Sequence, residues 1–236
     1  MTALPRKRFY QEARAEARAD GVAVLLDGKP LLTPARRILL APTEALGTAL
    51  AAEWARAGDR IDIADLALTR LSMTAQDHGD ASRAPWTDEI MKFAGSDLLC
   101  YRAAEPDALI RRQEQAWSPF LRWTEAALGA RFRATTGIAA IAQPEPALAA
   151  VGARLAAFNG WRLLGVRRAT EISGSAILAL ALEAGAFPPA EIVAAARLDE
   201  TFQAERWGVD AEAAAREARI RRDFFDAARF LELLAR

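Results

Sequence analysis

Carboxylates are concentrated between residues 199 and 212. The group consists of Asp199, Glu200, Glu205, Asp210 and Glu212. A pair such as Asp199 and Glu200 could carry out general acid–base chemistry. Spacings of five and ten residues, however, do not bring all of these side chains to one helix face, and a solvated helix surface is the commoner explanation for a charge run. Asp210 follows Trp207-Gly208, a typical helix end, so it is also placed to cap the next helix.

The remaining groups that could take part in nucleophilic or metal chemistry are few. The chain has one histidine, His78, and one cysteine, Cys100. The run Asp77-His78-Gly79-Asp80 could hold a metal, but with no second histidine we interpret it as a hydrated turn. Ser173-Gly174-Ser175 lacks the flanking pattern of a nucleophile elbow and indicates helix packing by small residues. Cys100, between Leu99 and Tyr101, is predicted to be a small buried residue. We therefore predict no catalytic residue and no metal site.

Sequence motifs for nucleotide binding are also missing. Gly28-Lys29 fails as a phosphate-binding loop, because Ala23 stands at the first glycine position and Pro30 at the hydroxyl position. The 31 basic and 31 acidic residues give a net charge of +0, which argues against a nucleic-acid footprint or a polybasic membrane anchor. No stretch approaches the ~20 apolar residues of a membrane span. The residues themselves favour a binding protein over an enzyme.

Tryptophan is the other residue type that could mark a functional surface. Trp117 and Trp123 flank Pro119 and Phe120. Packing in the core is the commoner role of such a cluster. A partner groove is the alternative, because exposed tryptophans often dominate the binding energy of interfaces.

The elements that would position these residues differ between the two ends of the chain. Val22–Leu26 is a short apolar run that Asp27-Gly28 follows, which predicts a β-hairpin whose second strand covers residues 29–33. Residues 9–20 alternate alanine with charged side chains, a period of two that favours a strand beside this hairpin. A further strand is predicted over residues 37–40. One later segment, residues 135–143, could also be extended.

The rest of the chain has helical patterns. Leu46, Leu50 and Trp54 form an apolar stripe behind Thr43, a typical N-cap residue. Pro119 predicts a break or kink within a long helix. The predicted helices cover residues 43–57, 65–76, a segment that begins after Ser82, 106–128, 144–158, 162–184, 189–207 and 211–234. The fold class is therefore α+β, with a small N-terminal α/β domain of antiparallel strands over residues 1–78 and a larger all-helical domain over residues 79–236.

The chain contains, in order, the short segments LDGKPLLTP at 26–34, AAEW at 51–54, LTRL at 68–71, DLLCYR at 97–102, RQEQAW at 112–117, GS at 174–175, LALAL at 178–182, LDE at 198–200, Gln203, WG at 207–208, Asp210 and Glu212. Taken together, they resemble the ATP synthase assembly chaperone family that attends the alpha subunit of the catalytic head. The chain departs from the family at Ser118, where aspartate is usual, and at Leu66-Ala67, where Met-Pro is frequent. It also has alanine at Ala13 and Ala15, where the family has larger strand residues.

The resemblance implies a protein without catalysis or cofactor that holds the free alpha subunit until beta subunits replace it. It implies partner-binding residues in the last similar block: Glu200, Asp210, Asp199, Glu205 and Trp207. Glu200 is the most informative of them, because the positions four residues away are Ala196 and Ala204 and offer no ion pair. Two other functions stay open, an enzyme that uses the pair Asp199 and Glu200, and a structural subunit of a stable complex.

The expected location depends on the host. Proteins of this resemblance work in the bacterial cytoplasm or, in a eukaryote, in the mitochondrial matrix. The basic residues Arg6, Lys7 and Arg8 are not followed by an apolar segment, so we expect no secretory signal. With no Arg- and Ser-rich leader either, the sequence favours the bacterial cytoplasm.

Overall fold

The computed structural model describes residues 6–137 and 139–235. These residues have an α+β fold and divide into two compact units. Among the described residues, the first unit comprises 6–83, 159–165 and 229–235, and the second comprises 84–158 and 166–228. The sequence predicts a domain boundary after residue 78. The first unit also includes two short segments beyond it, 159–165 and 229–235, and the boundary stays a prediction.

Two groups of short strands belong to the first unit, and a third group belongs to the second. All pairs in the first unit are antiparallel. The strands are β1 (Arg6–Lys7), β2 (Ala13–Arg18), β3 (Gly21–Leu26), β4 (Lys29–Pro30), β5 (Leu40–Ala41), β6 (Arg60–Ile61), β7 (Tyr101–Arg102) and β8 (Thr135–Thr136).

The main sheet is built around β3. Its side chains from Val22 to Leu26 are buried, and it pairs with β2, β4 and β5. The register with β2 runs from Ala13 opposite Leu26 to Arg18 opposite Gly21. A strand in the alternating segment 9–20 is therefore confirmed for residues 13–18. Strands β1 and β6 pair separately.

The turn between β3 and β4 has the conformation that its sequence predicts. Asp27 and Gly28 both have positive φ, 48° and 77°, as a type I′ turn requires. The Asp27 carboxylate accepts hydrogen bonds from the backbone N–H groups of Gln11 (3.0 Å) and Glu12 (2.8 Å). These bonds hold the pKa of Asp27 below its usual value. The same carboxylate thus fastens the turn to the segment that leads into β2.

Helices make up most of the described chain. Their bounds are α1 (Glu44–Ala55), α2 (Ala67–His78), α3 (Arg83–Gly95), α4 (Asp107–Leu128), α5 (Glu145–Ala156), α6 (Gly160–Ser173), α7 (Ala176–Glu183), α8 (Pro189–Ala196), α9 (Leu198–Trp207) and α10 (Ala211–Ala235). Within the described ranges, no helix is both long enough and apolar enough to cross a membrane.

Helix α1 packs on β2 and β3 through its apolar stripe. Leu46 and Leu50 are fully buried and Trp54 is 4% exposed, which confirms the predicted stripe. Thr43 caps the helix, because its Oγ1 accepts a hydrogen bond from the Leu46 N–H at 3.2 Å. The Trp54 Nε1–H donates to Thr69 Oγ1 at 2.9 Å and so ties α1 to α2.

Two helix predictions for the later part of the chain are wrong in detail. The segment 162–184 forms two helices, because Gly174 adopts a φ of 71° and the Ser175 Oγ then caps α7 by accepting from the Leu178 N–H at 3.0 Å. The segment 189–207 is likewise divided at Arg197 into α8 and α9. Helix α4 runs through Pro119, which excludes the break but leaves the kink a prediction, and buried side chains lie on both sides of the proline.

The second unit also contains strands, although the sequence predicts an all-helical domain there. Strands β7 and β8 form a parallel pair of two residues each. Thr135–Thr136 is the part of the predicted extended segment 135–143 that pairs. That segment includes Ile138, which lies outside the described residues.

Candidate partner-binding surface

The turn between α9 and α10 presents apolar side chains to solvent. We define the α9–α10 turn as residues 207–212. Trp207 is 77% exposed and Val209 is 52% exposed, while Gly208 ends α9 with a φ of 79°. The Asp210 Oδ1 accepts a hydrogen bond from the Ala213 N–H at 2.7 Å, so Asp210 caps α10. The solvent-exposed ring of Trp207 therefore lies three residues before the carboxylate of Asp210 in the chain.

Asp199 has a different setting from the other carboxylates. Its Oδ1 accepts a hydrogen bond from the Gln113 Nε2 at 2.8 Å. Gln113 is buried, and its Oε1 accepts from the Ala103 N–H at 2.7 Å. Asp199 thus fastens the first turn of α9 to α4 and to the segment before it. This contact positions the helix that carries Glu200 and Glu205.

Glu200 is half-exposed and belongs to a row of alternating charges. Its Oε1 lies 2.6 Å from the Arg197 Nη1, and the Arg197 Nε donates to Glu217 Oε2 at 3.0 Å. Glu217 in turn contacts Arg221 at 3.3 Å. The alanines at positions 196 and 204 predict no helix partner for Glu200. That prediction is wrong, because Arg197, three residues before Glu200, forms an ion pair with it.

Glu205 pairs across to another helix. Its Oε2 lies 2.6 Å from the Arg112 Nη1, and both side chains are about half-exposed. The guanidinium groups of Arg112 and Arg206 lie 5.2 and 5.0 Å from the ring centroid of buried Phe202. The contact of Arg112 with Phe202 joins α4 to the middle of α9, whereas Arg206 and Phe202 both belong to α9.

A groove runs beside α9 between these two sets of ion pairs. Its volume is about 410 Å³. Alanine and leucine side chains form the apolar part of the lining, and arginine, glutamine and threonine side chains form the rest. The lining residues are Arg112, Gln115, Ala116, Ala194, Leu198, Thr201 and Arg221. Among these described residues there is no carboxylate, histidine or cysteine.

Trp117, left open between core and interface by the sequence, lies in the core. Its Nε1–H donates to the Ala195 carbonyl oxygen at 2.9 Å, and the side chain is fully buried. The Arg102 guanidinium lies 5.1 Å from the ring centroid. Phe120 is buried as well, whereas Trp123 is half-buried. Trp117 therefore supports the backbone from which the partner-binding candidates project.

Two other titratable groups singled out from the sequence are Asp77, which has hydrogen-bond partners, and Cys100, which is buried. Asp77 accepts hydrogen bonds from Thr33 Oγ1 (2.8 Å), the Ala35 N–H (2.9 Å) and Arg37, and its pKa is lowered by these bonds although burial opposes the shift. Cys100 is buried, which raises the pKa of its thiol to about 12. Within residues 6–137 and 139–235, no three potential metal ligands converge.

Comparisons with known proteins agree on one family. A family model described as ATP12 chaperone protein matches residues 7–125. Two solved structures of Atp12 from Paracoccus denitrificans, one of them a point mutant, are each 35% identical with TM-scores of 0.91, and cover 97% of this chain and 97–98% of theirs. The Agrobacterium tumefaciens protein Atu1473 is 39% identical, with a TM-score of 0.92 over 98% of this chain and 87% of its own. Protein atp12, mitochondrial, from Schizosaccharomyces pombe is 23% identical over 214 residues, 86% of this chain and 74% of that protein.

Proposed function

Because this chain belongs to the ATP12 chaperone protein family, we propose that it binds the unassembled alpha subunit of ATP synthase, covers its exposed interface and releases it to the beta subunit. A subunit built for a ring exposes large apolar surfaces before assembly, and these aggregate unless they are covered. The same proposal places the protein where that subunit is assembled, in the bacterial cytoplasm or, in a eukaryotic host, in the mitochondrial matrix.

The exposed Trp207 is the observation that carries this proposal. A tryptophan that is 77% exposed, next to a half-exposed valine, leaves apolar surface uncovered in the free protein. Large aromatic side chains of this kind are enriched among the residues that dominate binding energy in protein interfaces. The α9–α10 turn therefore supplies the apolar centre of the proposed contact.

Carboxylates supply the polar rim of the contact. Glu200, Glu205 and Asp210 each leave part of their charge accessible, while Asp199 positions α9 through Gln113. Rim charges act on the association rate and on partner choice more than on total affinity. The partner surface should therefore combine an apolar pocket for Trp207 with basic residues around it. Such a contact can be selective and still be reversible.

Glu200→Lys is the first test of this assignment. The change replaces the ion pair with Arg197 by a like-charge pair, while Arg197, whose side chain is 17% exposed, keeps its hydrogen bond to Glu217, so the free energy of unfolding should fall by about 1 kcal/mol. The reversed charge should oppose a basic partner and reduce the capture of purified alpha subunit several-fold. The measurements are urea unfolding and the amount of alpha subunit kept soluble.

Asp88→Lys is the matched control, because Asp88 is a carboxylate on α3, away from α9 and α10 in sequence. It should leave capture unchanged. If Glu200→Lys captures alpha subunit as well as the parent does, Glu200 is not part of the contact. Failure of the parent to capture alpha subunit in the absence of beta subunit would contradict the proposed function itself.

A further inference from the structure

A second groove of the same unit lies between the end of α4 and the start of α5. Its volume is about 640 Å³, within the range of roughly 300–1,000 Å³ that is typical of ligand-binding clefts. We call it the α4–α5 groove. It is lined by Gly129, Arg131, Phe132, Arg133, Ala134, Pro144, Pro146 and Ala147.

Most of this lining is apolar. Phe132 and Pro144 are half-buried, Pro146 is exposed, and Ala147 is almost fully buried below them. Rings of proline and phenylalanine offer flat apolar surface without hydrogen-bond donors. A side chain that enters this groove from outside would therefore gain free energy by apolar burial rather than by polar contacts with the floor.

Two arginines, Arg131 and Arg133, lie at the rim of the groove, and carboxylate side chains do little to neutralise their charge. Arg131, whose side chain is 82% exposed, contacts Glu125 at 3.5 Å, and an exposed pair of this length contributes little. The Arg133 guanidinium makes no hydrogen bond or ion pair with any residue in the described part of the chain. The lining contains no carboxylate. The groove is therefore apolar at its floor and cationic at its rim.

The wall that carries these arginines is held in place before any ligand arrives. The side-chain amide of buried Gln143 accepts a hydrogen bond from the Arg133 N–H at 2.9 Å and donates to the Arg133 carbonyl oxygen at 3.0 Å. Gly129 ends α4 in the left-handed region with a φ of 69°, and the Ala130 N–H donates to the Thr124 carbonyl oxygen at 3.0 Å. A preformed wall reduces the entropy that binding must overcome.

We propose that the α4–α5 groove binds an acidic segment of the client polypeptide, with an apolar side chain on its floor and carboxylates against Arg131 and Arg133. The charge on the rim selects this occupant, because guanidinium groups form strong bidentate pairs with carboxylates. The identity of the client rests on the proposed function. The groove would give the chaperone a basic contact besides the acidic α9–α10 turn, and two contacts of opposite charge reject partners that match only one of them.

Synthetic peptides test the groove directly. Fluorescence anisotropy of the fluorescein-labelled peptide DELFDE should report binding to the full chain, and the peptide KKLFKK, with the same apolar pair and the opposite charge, should bind at least tenfold more weakly. Arg131→Glu with Arg133→Glu should reduce the affinity for DELFDE at least tenfold, and Ala134→Trp, which fills the groove, should do the same. The control Arg122→Glu reverses an exposed arginine of α4 outside the lining and should leave the affinity unchanged.

The outcomes separate this proposal from the proposed function. Equal binding of both peptides, or binding of DELFDE that survives both groove variants, would overturn the groove as an acidic-segment site. If the double arginine variant keeps alpha subunit soluble as well as the parent does, the client assignment is overturned. If the parent fails to hold alpha subunit yet binds DELFDE through the arginines, the proposed function fails while the groove's chemistry is supported.

Discussion

Two tryptophans of this chain have opposite environments. Trp54 is 4% exposed, donates a hydrogen bond to Thr69, and accepts one from the Tyr10 hydroxyl at its carbonyl oxygen, at 2.7 Å. Trp207 is 77% exposed at the end of α9. The apolar stripe of α1 predicts the burial of Trp54. No comparable pattern surrounds Trp207, so only its position in the similar C-terminal block pointed to a surface role.

Substitution of each tryptophan by arginine should therefore separate stability from binding. Trp54→Arg removes a large buried side chain and buries a charge, and we expect a loss of at least ~3 kcal/mol in the free energy of unfolding. Trp207→Arg should change it by less than about 0.5 kcal/mol but weaken capture of alpha subunit. Urea unfolding of both variants checks the comparison. Equal destabilisation would show that Trp207 packs in solution.

Asp97 is the most deeply buried carboxylate among the described residues with a shifted pKa. Its Oδ1 accepts a hydrogen bond from the Ser175 hydroxyl at 2.7 Å, and its Oδ2 accepts from the Ile177 N–H at 3.1 Å. Burial raises its pKa to about 6, although the hydrogen bonds oppose the shift. Asp97 thus links the start of α7 to the short 3₁₀ turn Leu98–Cys100 at a cost that depends on pH.

This shift predicts a pH dependence of stability. The folded-state pKa lies above the unfolded value of about 3.9, so the contribution of Asp97 is fully present below that value and is lost as pH rises through about 6. Relative to Asp97→Asn, which does not titrate, the parent should gain roughly 2 kcal/mol between pH 8 and pH 4. Urea unfolding of both proteins across this range measures the difference, in which other titrating groups cancel. A difference that falls with decreasing pH would contradict the raised pKa.

At the scale of elements, local signals in the sequence explain what could be predicted. The Asp27-Gly28 turn, the Thr43 cap and the α1 stripe are all set by neighbours within a few residues. The sequence does not predict the helix breaks at Gly174 and Arg197, because alanine and leucine are frequent on both sides of each position and favour helix. At Pro119, burial of Trp117 and Phe120 outweighs the local preference for a break.

The candidate site was less predictable, because its contacts join distant parts of the chain. Arg112 pairs with Glu205 and Gln113 with Asp199, across 93 and 86 residues. No periodicity reports such pairs. Arg197 is the exception, since its position three residues before Glu200 was visible in the sequence. The α4–α5 groove depends on the path of the irregular segment between α4 and α5, and no sequence motif indicates it.

The packing of α2 against α6 depends on two glycines. A Cβ placed on Gly160, the first residue of α6, would lie 2.6 Å from the Gly79 Cα. Contacts this short between a side chain and backbone cannot be relieved by rotation of a flexible group. The first unit therefore brings the end of α2 and the start of α6 closer together than any larger residue allows.

Gly160→Ala should therefore destabilise the protein. Overpacking of this kind costs about 1–3 kcal/mol in the free energy of unfolding. The control is Gly152→Ala in the interior of α5, where a Cβ meets no atom within 4 Å and the φ is not in the left-handed region. That change should stabilise the protein by about 0.5–1 kcal/mol through helix propensity. Thermal unfolding should show a lower melting temperature for Gly160→Ala and a higher one for Gly152→Ala than for the parent. Melting temperatures that both move in the same direction would contradict this expectation.

At the scale of the whole molecule, the net charge of +0 does not describe each surface. Two carboxylates, Asp210 and Glu212, follow the exposed Trp207 in the α9–α10 turn, whereas two arginines line the α4–α5 groove. The pair Gly28-Lys29, which fails the pattern of a phosphate-binding loop, belongs to the β3–β4 hairpin: Gly28 lies in the turn and Lys29 begins β4. Under the proposed function, a chaperone with such surfaces would release the alpha subunit by competition. The beta subunit would bind the same interface of the alpha subunit and dissociate from it more slowly.

We therefore expect that beta subunit prevents rebinding of the client rather than pulling it away. In a stopped-flow measurement with fluorescently labelled alpha subunit, the release rate should reach a plateau as beta subunit increases, and the plateau should equal the dissociation rate found by dilution. Serum albumin at the same concentration should have no effect, and MgATP without beta subunit should leave the complex intact.

A release rate that keeps rising with the concentration of beta subunit would show active displacement, and release by MgATP alone would show a nucleotide-driven step. Either result would contradict passive competition, which requires that the chaperone's own dissociation rate set the pace of hand-off.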